Sequence, residues 1–252
     1  MKSLLTFVCL TLFVSSNTSG QITAHQAKKM VKNGDLITLS GLISNGLDIN
    51  TTFGRNYTLL HYAARYGKYD IATFLVENGA DLDVQIKRDK WTPLIISTME
   101  NDDSISQLLI LSGANPNVAG NSGTTALRNT IGFWGYGGNP KLFKLLIDNG
   151  ADLTFQCGDC CNRTIFLYCC AWGTPEMLQL LLDKNVDVNV ADCKGVNGLM
   201  GAIQTKNKEA IQLLLATDID LSHLDNKGKS ILDYALSTKD QEIIDLIHDK
   251  IK

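Results

Sequence analysis

A short phrase returns down the chain about every thirty-three residues, and no other feature constrains the fold as strongly. It reads Asn45-Gly46-Leu47-Asp48-Ile49-Asn50, Asn78-Gly79-Ala80-Asp81-Leu82-Asp83, Ser112-Gly113-Ala114-Asn115-Pro116-Asn117 and Asn149-Gly150-Ala151-Asp152-Leu153-Thr154. Weaker copies start at Asn185 and Asp218. Most copies follow an apolar segment such as Phe74-Leu75-Val76 or Leu180-Leu181-Leu182. A second phrase follows each copy, clearest as Thr58-Leu59-Leu60-His61-Tyr62-Ala63-Ala64 and Thr92-Pro93-Leu94. Its leucine recurs at Leu60, Leu94, Leu127, Leu167, Leu199 and Leu232, at intervals of 34, 33, 40, 32 and 33 residues. A fixed period in this range marks a solenoid of one repeated supersecondary unit.

The residue types explain the unit. Glycine after an apolar helix permits the left-handed backbone that ends it, and a neighbouring Asn or Asp satisfies turn amides. Threonine at the start of the next phrase caps a helix, with Pro93 at the first helical position. A small-residue column, Ala63, Ser97, Thr130, Cys170, Ala202 and Ala235, lets neighbouring helices approach closely. One unit cannot bury its apolar face alone, so stacking is what folds such a chain.

The Thr-Pro-Leu-like phrase, the leucine triplets and the Asn-Gly-Ala-Asp turns resemble the ankyrin repeat family, over residues 24 to 252. The resemblance implies an all-α solenoid of helix-turn-helix units with projecting hairpin-like loops. It divides the chain into an atypical N-terminal capping unit at 21–54, repeats at 55–88, 89–122, 123–160, 161–194 and 195–227, and a C-terminal capping unit at 228–252. Asn185 and Asp218 stand where the turn glycine is expected, and Ile165, Asn197 and Ser230 where the capping threonine is expected. The 40-residue interval implies about seven extra residues, split between Phe133-Trp134-Gly135-Tyr136-Gly137-Gly138 and Cys157-Gly158-Asp159-Cys160-Cys161.

The resemblance also implies recognition of a protein partner through first helices and loop tips on a concave face. Its register aligns Arg65, Met99, Gly132, Trp172 and Gln204 in one column, with Tyr66, Glu100, Phe133, Gly173 and Thr205 in the next. Tyr57, Trp91 and Thr124 form a loop-edge column beside Arg55, Arg88 and Lys90. Protein interfaces favour Tyr, Trp and Arg at their centres. Arg65, Tyr66, Trp91, Phe133, Trp134, Tyr136 and Trp172 are therefore the partner-binding candidates.

Export is expected. Met1-Lys2 gives a positive start, Leu4 to Val14 an apolar run too short to span a bilayer, and small residues lead to Gly20. This is the layout of a signal peptide over residues 1–20, and it points to a periplasmic or secreted chain with no membrane span after cleavage. At 44% hydrophobic residues the chain can bury a core, and a charge of −3 with pI near 5.8 supplies no field for nucleic acid. A monomer is expected.

Six cysteines, Cys157, Cys160, Cys161, Cys169, Cys170 and Cys193, fall within 37 residues. An even number in an exported chain reads as disulfides, with Cys157, Cys160, Cys161, Cys169 and Cys193 as candidates and Cys170 equally suited to a buried thiol. Cys161 and Cys193 hold equivalent sites in successive loops. Two alternatives use the same residues: a redox pair at Cys157 and Cys160, or a zinc site from Cys157, Cys160, Cys161 and Cys193. No phosphate-binding loop, nucleophile elbow or paired-histidine metal helix is present in the sequence. Neither an enzyme nor a bound cofactor is expected, and the leading expectation is an exported scaffold for a protein partner.

Overall fold

The computed structural model describes residues 22–132, 138–155 and 161–251. The described residues divide into two compact units, one running through Asn115 and the other starting at Pro116. The first holds three helix pairs: α1 (Ala24–Asn33) with α2 (Leu36–Ser44), α3 (Leu59–Arg65) with α4 (Tyr69–Glu77), and α5 (Pro93–Met99) with α6 (Asp103–Leu111). The second holds α7 (Ala126–Asn129) with α8 (Pro140–Asp148), α9 (Ile165–Trp172) with α10 (Pro175–Asp183), α11 (Gly198–Thr205) with α12 (Lys208–Leu214), and α13 (Ile231–Thr238) with α14 (Gln241–Ile251). There is no strand among the described residues; isolated antiparallel bridges at Phe53–Tyr57, Ala191–Asn197 and Leu224–Ser230 close the loops into hairpins.

Each first helix begins on a side-chain cap. Thr23, Thr58, Thr92, Thr125, Thr164, Asn197 and Ser230 each accept the backbone N–H three residues on. Proline opens α5, α8 and α10, where its missing N–H costs nothing. Four of the second helices end on a left-handed glycine: Gly46, Gly79, Gly113 and Gly150, with φ of 98°, 84°, 92° and 86°. Asn185 takes that conformation at φ 55°. Asp218 does not, and the chain turns instead through bonds from Ala216 N–H to Leu213 and from Thr217 N–H to Leu214.

In the first unit α3 packs against α1 and α5, and α4 against α6; in the second α9 packs against α7 and α11, α11 against α13, and α10 against α8 and α12. One leucine in each second helix from α2 to α12 lies in the core, Leu39, Leu75, Leu109, Leu146, Leu181 and Leu214 being fully buried, while α14 buries Ile243 and Ile247 in its place. Full burial of a leucine contributes about 1.5–3 kcal/mol, so each of these positions adds substantially to the stability of its repeat.

The cap at Thr164 corrects the register of one unit. Ile165 was expected in the capping position, but Thr164 holds it, so α9 starts one residue earlier than the leucine spacing implied. Buried Phe166, not Leu167, then stands with Leu60, Leu94, Leu127 and Leu199, and the intervals become 34, 33, 39, 33 and 33. The small-residue position passes from Cys170 to Cys169. Of the first insertion, residues 133–137 lie outside the described residues. Its visible effect is on α7, which stops at Asn129 after one turn while α3, α5, α9, α11 and α13 run seven or eight residues. Gly132 therefore lies beyond the helix at φ 90° and does not share the helical column of Arg65.

Candidate functional site

The turn phrases carry polar residues for structural reasons. Asp48, Asp81, Asp152, Asp187 and Asp220 each accept the N–H two residues on, at 2.8–3.0 Å. The last residue of a phrase reaches the following phrase. Asn50 accepts the Asp81 N–H at 2.8 Å, Asp83 that of Asn115 at 3.0 Å, Asn117 that of Asp152 at 2.7 Å, and Asn189 that of Asp220 at 2.8 Å. Thr154 instead turns its hydroxyl back to Asp152 at 2.7 Å. These carboxylates and amides serve the turn backbone.

In the first unit the aromatic candidates sit on a rigid base. His61 is fully buried. Its Nδ1 accepts the Thr58 N–H at 3.1 Å, and its Nε2 lies 3.3 Å from the Trp91 carbonyl oxygen. Burial pushes its pKa down to about 4. The neutral ring thus ties the cap of α3 to the following hairpin. Tyr57 stacks on Tyr62 with ring centres 5.2 Å apart. Arg65 is exposed, Tyr66 and Trp91 are half-buried, and the Lys32 ammonium lies 5.9 Å from the Tyr66 ring centre. Arg65 and Tyr66 are neighbours at the end of α3, while Trp91 lies at the base of the hairpin that precedes α5.

The hairpin tips share a backbone rule. The residue two before each cap is left-handed: Asn56, Lys90, Gly123, Asn162, Gly195 and Gly228, with φ from 55° to 75°. Glycine and asparagine tolerate this region, so Lys90 departs from the residue types that suit the turn.

In the second unit the aromatic and basic groups converge. Arg128 lies with its guanidinium carbon 4.7 Å from the Tyr168 ring centre, and that of Arg163 is 5.8 Å from the ring centre of Trp172. Arg163 Nε donates to the buried Asp192 carboxylate at 3.1 Å, and Asp192 also accepts N–H bonds from Lys194 and Val196. A shallow surface depression, with room for little more than a water molecule, lies beside them, lined by Arg128, Asp152, Phe155, Arg163 and Tyr168 among others. Arg128 and Arg163 were not among the sequence candidates. The register slip hid Arg163: counted from Thr164 it takes the loop-edge position of Tyr57 and Trp91. The same correction moves Trp172, which stands 37% exposed, into the column of Tyr66 and Glu100. Phe133, Trp134 and Tyr136 lie outside the described residues.

The cysteines separate by depth. Cys161 and Cys193 lie at disulfide distance in successive hairpins, with Cα atoms 4.9 Å apart, and the Cys193 N–H donates to the Cys161 carbonyl at 2.9 Å. Cys169, expected among the bridge candidates, is a free buried thiol beside the equally buried Cys170. Burial pushes both thiols up, away from the reactive thiolate. The reason is the register of α9: five residues after the cap, a side chain points into the small-residue layer. Cys157 and Cys160 lie outside the described residues. Among the described residues, no group of three His, Cys, Asp or Glu side chains could hold a metal ion, and no helix is long and apolar enough to cross a membrane.

A family model for ankyrin repeats in three copies matches residues 25–120, 99–192, 132–225 and 167–252. An ankyrin repeat protein of Acanthamoeba polyphaga mimivirus is 34% identical over 97 residues, 38% of this chain and 13% of that protein. The B-cell lymphoma 3 protein homolog of Mus musculus is 35% identical over 126 residues, 50% of this chain and 27% of that protein. The chain thus spans well under a third of the length of these relatives. The crystal structure of the human ASB11 ankyrin repeat domain superposes with a TM-score of 0.72 at 20% identity, covering 89% of this chain and 96% of that one. Ankyrin repeats are in general protein–protein interaction modules. With the caps, turns and buried leucine column in place and the family model matching nearly its whole length, the chain belongs to the ankyrin repeat family.

Proposed function

We propose that this chain is a non-enzymatic, exported scaffold that acts as a monomer and binds a protein partner through its first helices and hairpin tips. The observation that carries this reading is a division of labour among side chains. The turn carboxylates and amides are engaged by backbone N–H groups, while Arg65, Tyr66, Trp91 and Trp172 hold exposed or half-buried positions at first-helix ends and hairpin edges. Tyr, Trp and Arg so placed are the types that dominate interface energetics. Export rests on the leader-like residues 1–20 and on a hairpin cysteine pair that suits an oxidising space.

The test is capture from the exported fraction of the native cell with the full chain as bait, then titration of the purified partner. Tyr66→Ala together with Trp91→Ala is expected to weaken that binding at least about tenfold while the melting temperature holds, since interface aromatics commonly carry 1–2 kcal/mol or more. Unchanged affinity would refute the assigned surface.

The alternative is a redox or metal module in the cysteine cluster, with the repeats as its frame. It has less support. Cys161 and Cys193 are engaged with each other, and Cys169 and Cys170 are buried thiols.

A further inference from the structure

The charges of the first unit are not spread evenly. Residues 22–115 hold nine Lys and Arg and ten Asp and Glu, so the unit is nearly neutral at 9 − 10 = −1. Four of the nine cations, Arg55, Lys87, Arg88 and Lys90, stand exposed in the two hairpin tips at 54–57 and 86–91, with only Asp89 of the ten acids. The tips therefore carry 4 − 1 = +3. Most of the other acids cap or open second helices, as Asp35, Asp70 and Asp102 do, or hold the turns, as Asp48 and Asp81 do, while Glu77 and Glu100 stand at helix C-terminal ends.

One backbone and one side-chain hydrogen bond hold the two tips side by side. The Lys87 N–H donates to the Arg55 carbonyl at 2.9 Å, and Asn56 Nδ2 to that of Gln85 at 2.8 Å. Within the second tip, Lys90 N–H donates to Ile86 and Ile86 N–H to Trp91. The cations are thus presented on an ordered backbone, which lowers the entropy lost when a ligand engages them. The half-buried rings of Tyr57 and Trp91 border the patch. Lys90 occupies the left-handed tip position that is glycine or asparagine in the other five hairpins, so a cation stands where backbone preference alone selects another residue.

We propose that these paired tips bind an acidic segment of a protein partner. The proposal rests on the scaffold reading above and adds the chemistry of its ligand. A net charge of −3 over the whole chain opposes a long polyanion, whereas a local +3 patch edged by aromatic rings suits a short Glu- and Asp-rich stretch with an apolar or aromatic neighbour.

The experiment titrates the full chain with a fluorescent Glu- and Asp-rich peptide containing one tyrosine, its Gln and Asn analogue, a single-stranded oligonucleotide and phosphatidylserine vesicles. Binding of the acidic peptide alone, weakening as salt rises, is the expected result. Lys87→Glu with Arg88→Glu is expected to weaken it about tenfold or more, whereas Lys28→Glu with Lys29→Glu, the same charge change on exposed positions of α1, leaves it unchanged. Lys90→Gly is expected to weaken binding with no fall in melting temperature, which separates lost recognition from lost folding. No binding of the acidic peptide, equal binding of its neutral analogue, tighter binding of the oligonucleotide or vesicles, or indifference to the tip substitutions would each overturn the proposal. A captured protein partner that binds the tip variants as well as the wild type overturns this inference and leaves the scaffold reading standing; absence of any captured protein counts against the scaffold reading itself.

Discussion

Burial holds His61 neutral, outweighing the Trp91 and Val84 carbonyls and the Asp81 carboxylate, which all favour the charged ring. The Thr58 N–H points at Nδ1, so a proton there would face a donor, and burial removes the water that would solvate the charge. With the folded pKa near 4 against 6.5 for the free side chain, the unfolded chain binds a proton that the fold refuses throughout that interval. The His61 contribution is accordingly complete above pH 6.5, falls as pH drops toward 4 and levels off below, with a loss of up to about 3 kcal/mol. Urea unfolding across that range should show the slope, and His61→Gln should flatten it; a flat wild-type profile contradicts the assignment. Two glycines of α11 give a second contrast at this scale. A Cβ on Gly198 would lie 2.8 Å from Cys170 Sγ and 2.9 Å from the Phe166 ring, while Gly201 has open space. Gly198→Ala is expected to cost about 1–3 kcal/mol by overpacking. Gly201→Ala, inside the helix, is expected to stabilise by about 0.5–1 kcal/mol. Thermal melts of the pair check both signs.

At the scale of elements, the hairpins are where the second unit is most constrained. The Cys161–Cys193 pair spans 32 residues, and in the chain-entropy account closing a loop of that length contributes at most about 3.7 kcal/mol. Reduction, or Cys193→Ser, should lower the melting temperature and speed amide exchange in α9 and α11 while leaving α3 to α6 unaffected. Equal exchange with and without reductant would show the pair to be idle. Helix starts and stops were legible in the sequence because their causes are local: a threonine accepts an amide three residues away, and a glycine takes a left-handed backbone. The exception teaches the same rule. Leucine spacing placed the helix at Leu167, but Phe166 fills a leucine site as well as leucine does, and six extra residues upstream absorbed the slip. Thr164 was the better guide, since a cap acts through a directed hydrogen bond and apolar packing does not. That one-residue error hid Arg163, misplaced Trp172 and made Cys169 look available for a bridge. Cysteine fate follows helix rotation, which composition and spacing do not report.

Over the whole molecule, repetition does most of the structural work, and the proposed function draws on what varies between units. Leucines and small residues recur because every layer must close on the next, whereas Tyr66, Trp91, Arg128, Arg163 and the basic tips are not repeated. The repeat was therefore legible from sequence, and the arginine–aromatic pairs of the second unit were not, because a repeat position fixes a backbone site and not which side chains meet across it. Recognition is proposed to reside in these unrepeated side chains and not in thiol chemistry. The most direct test is the affinity of one purified partner for two variants of matched melting temperature, Tyr66→Ala with Trp91→Ala, and Cys157→Ser with Cys160→Ser. The account predicts a loss of about tenfold or more in the first and none in the second. Binding that survives the aromatic substitutions and is abolished by the cysteine substitutions would contradict it.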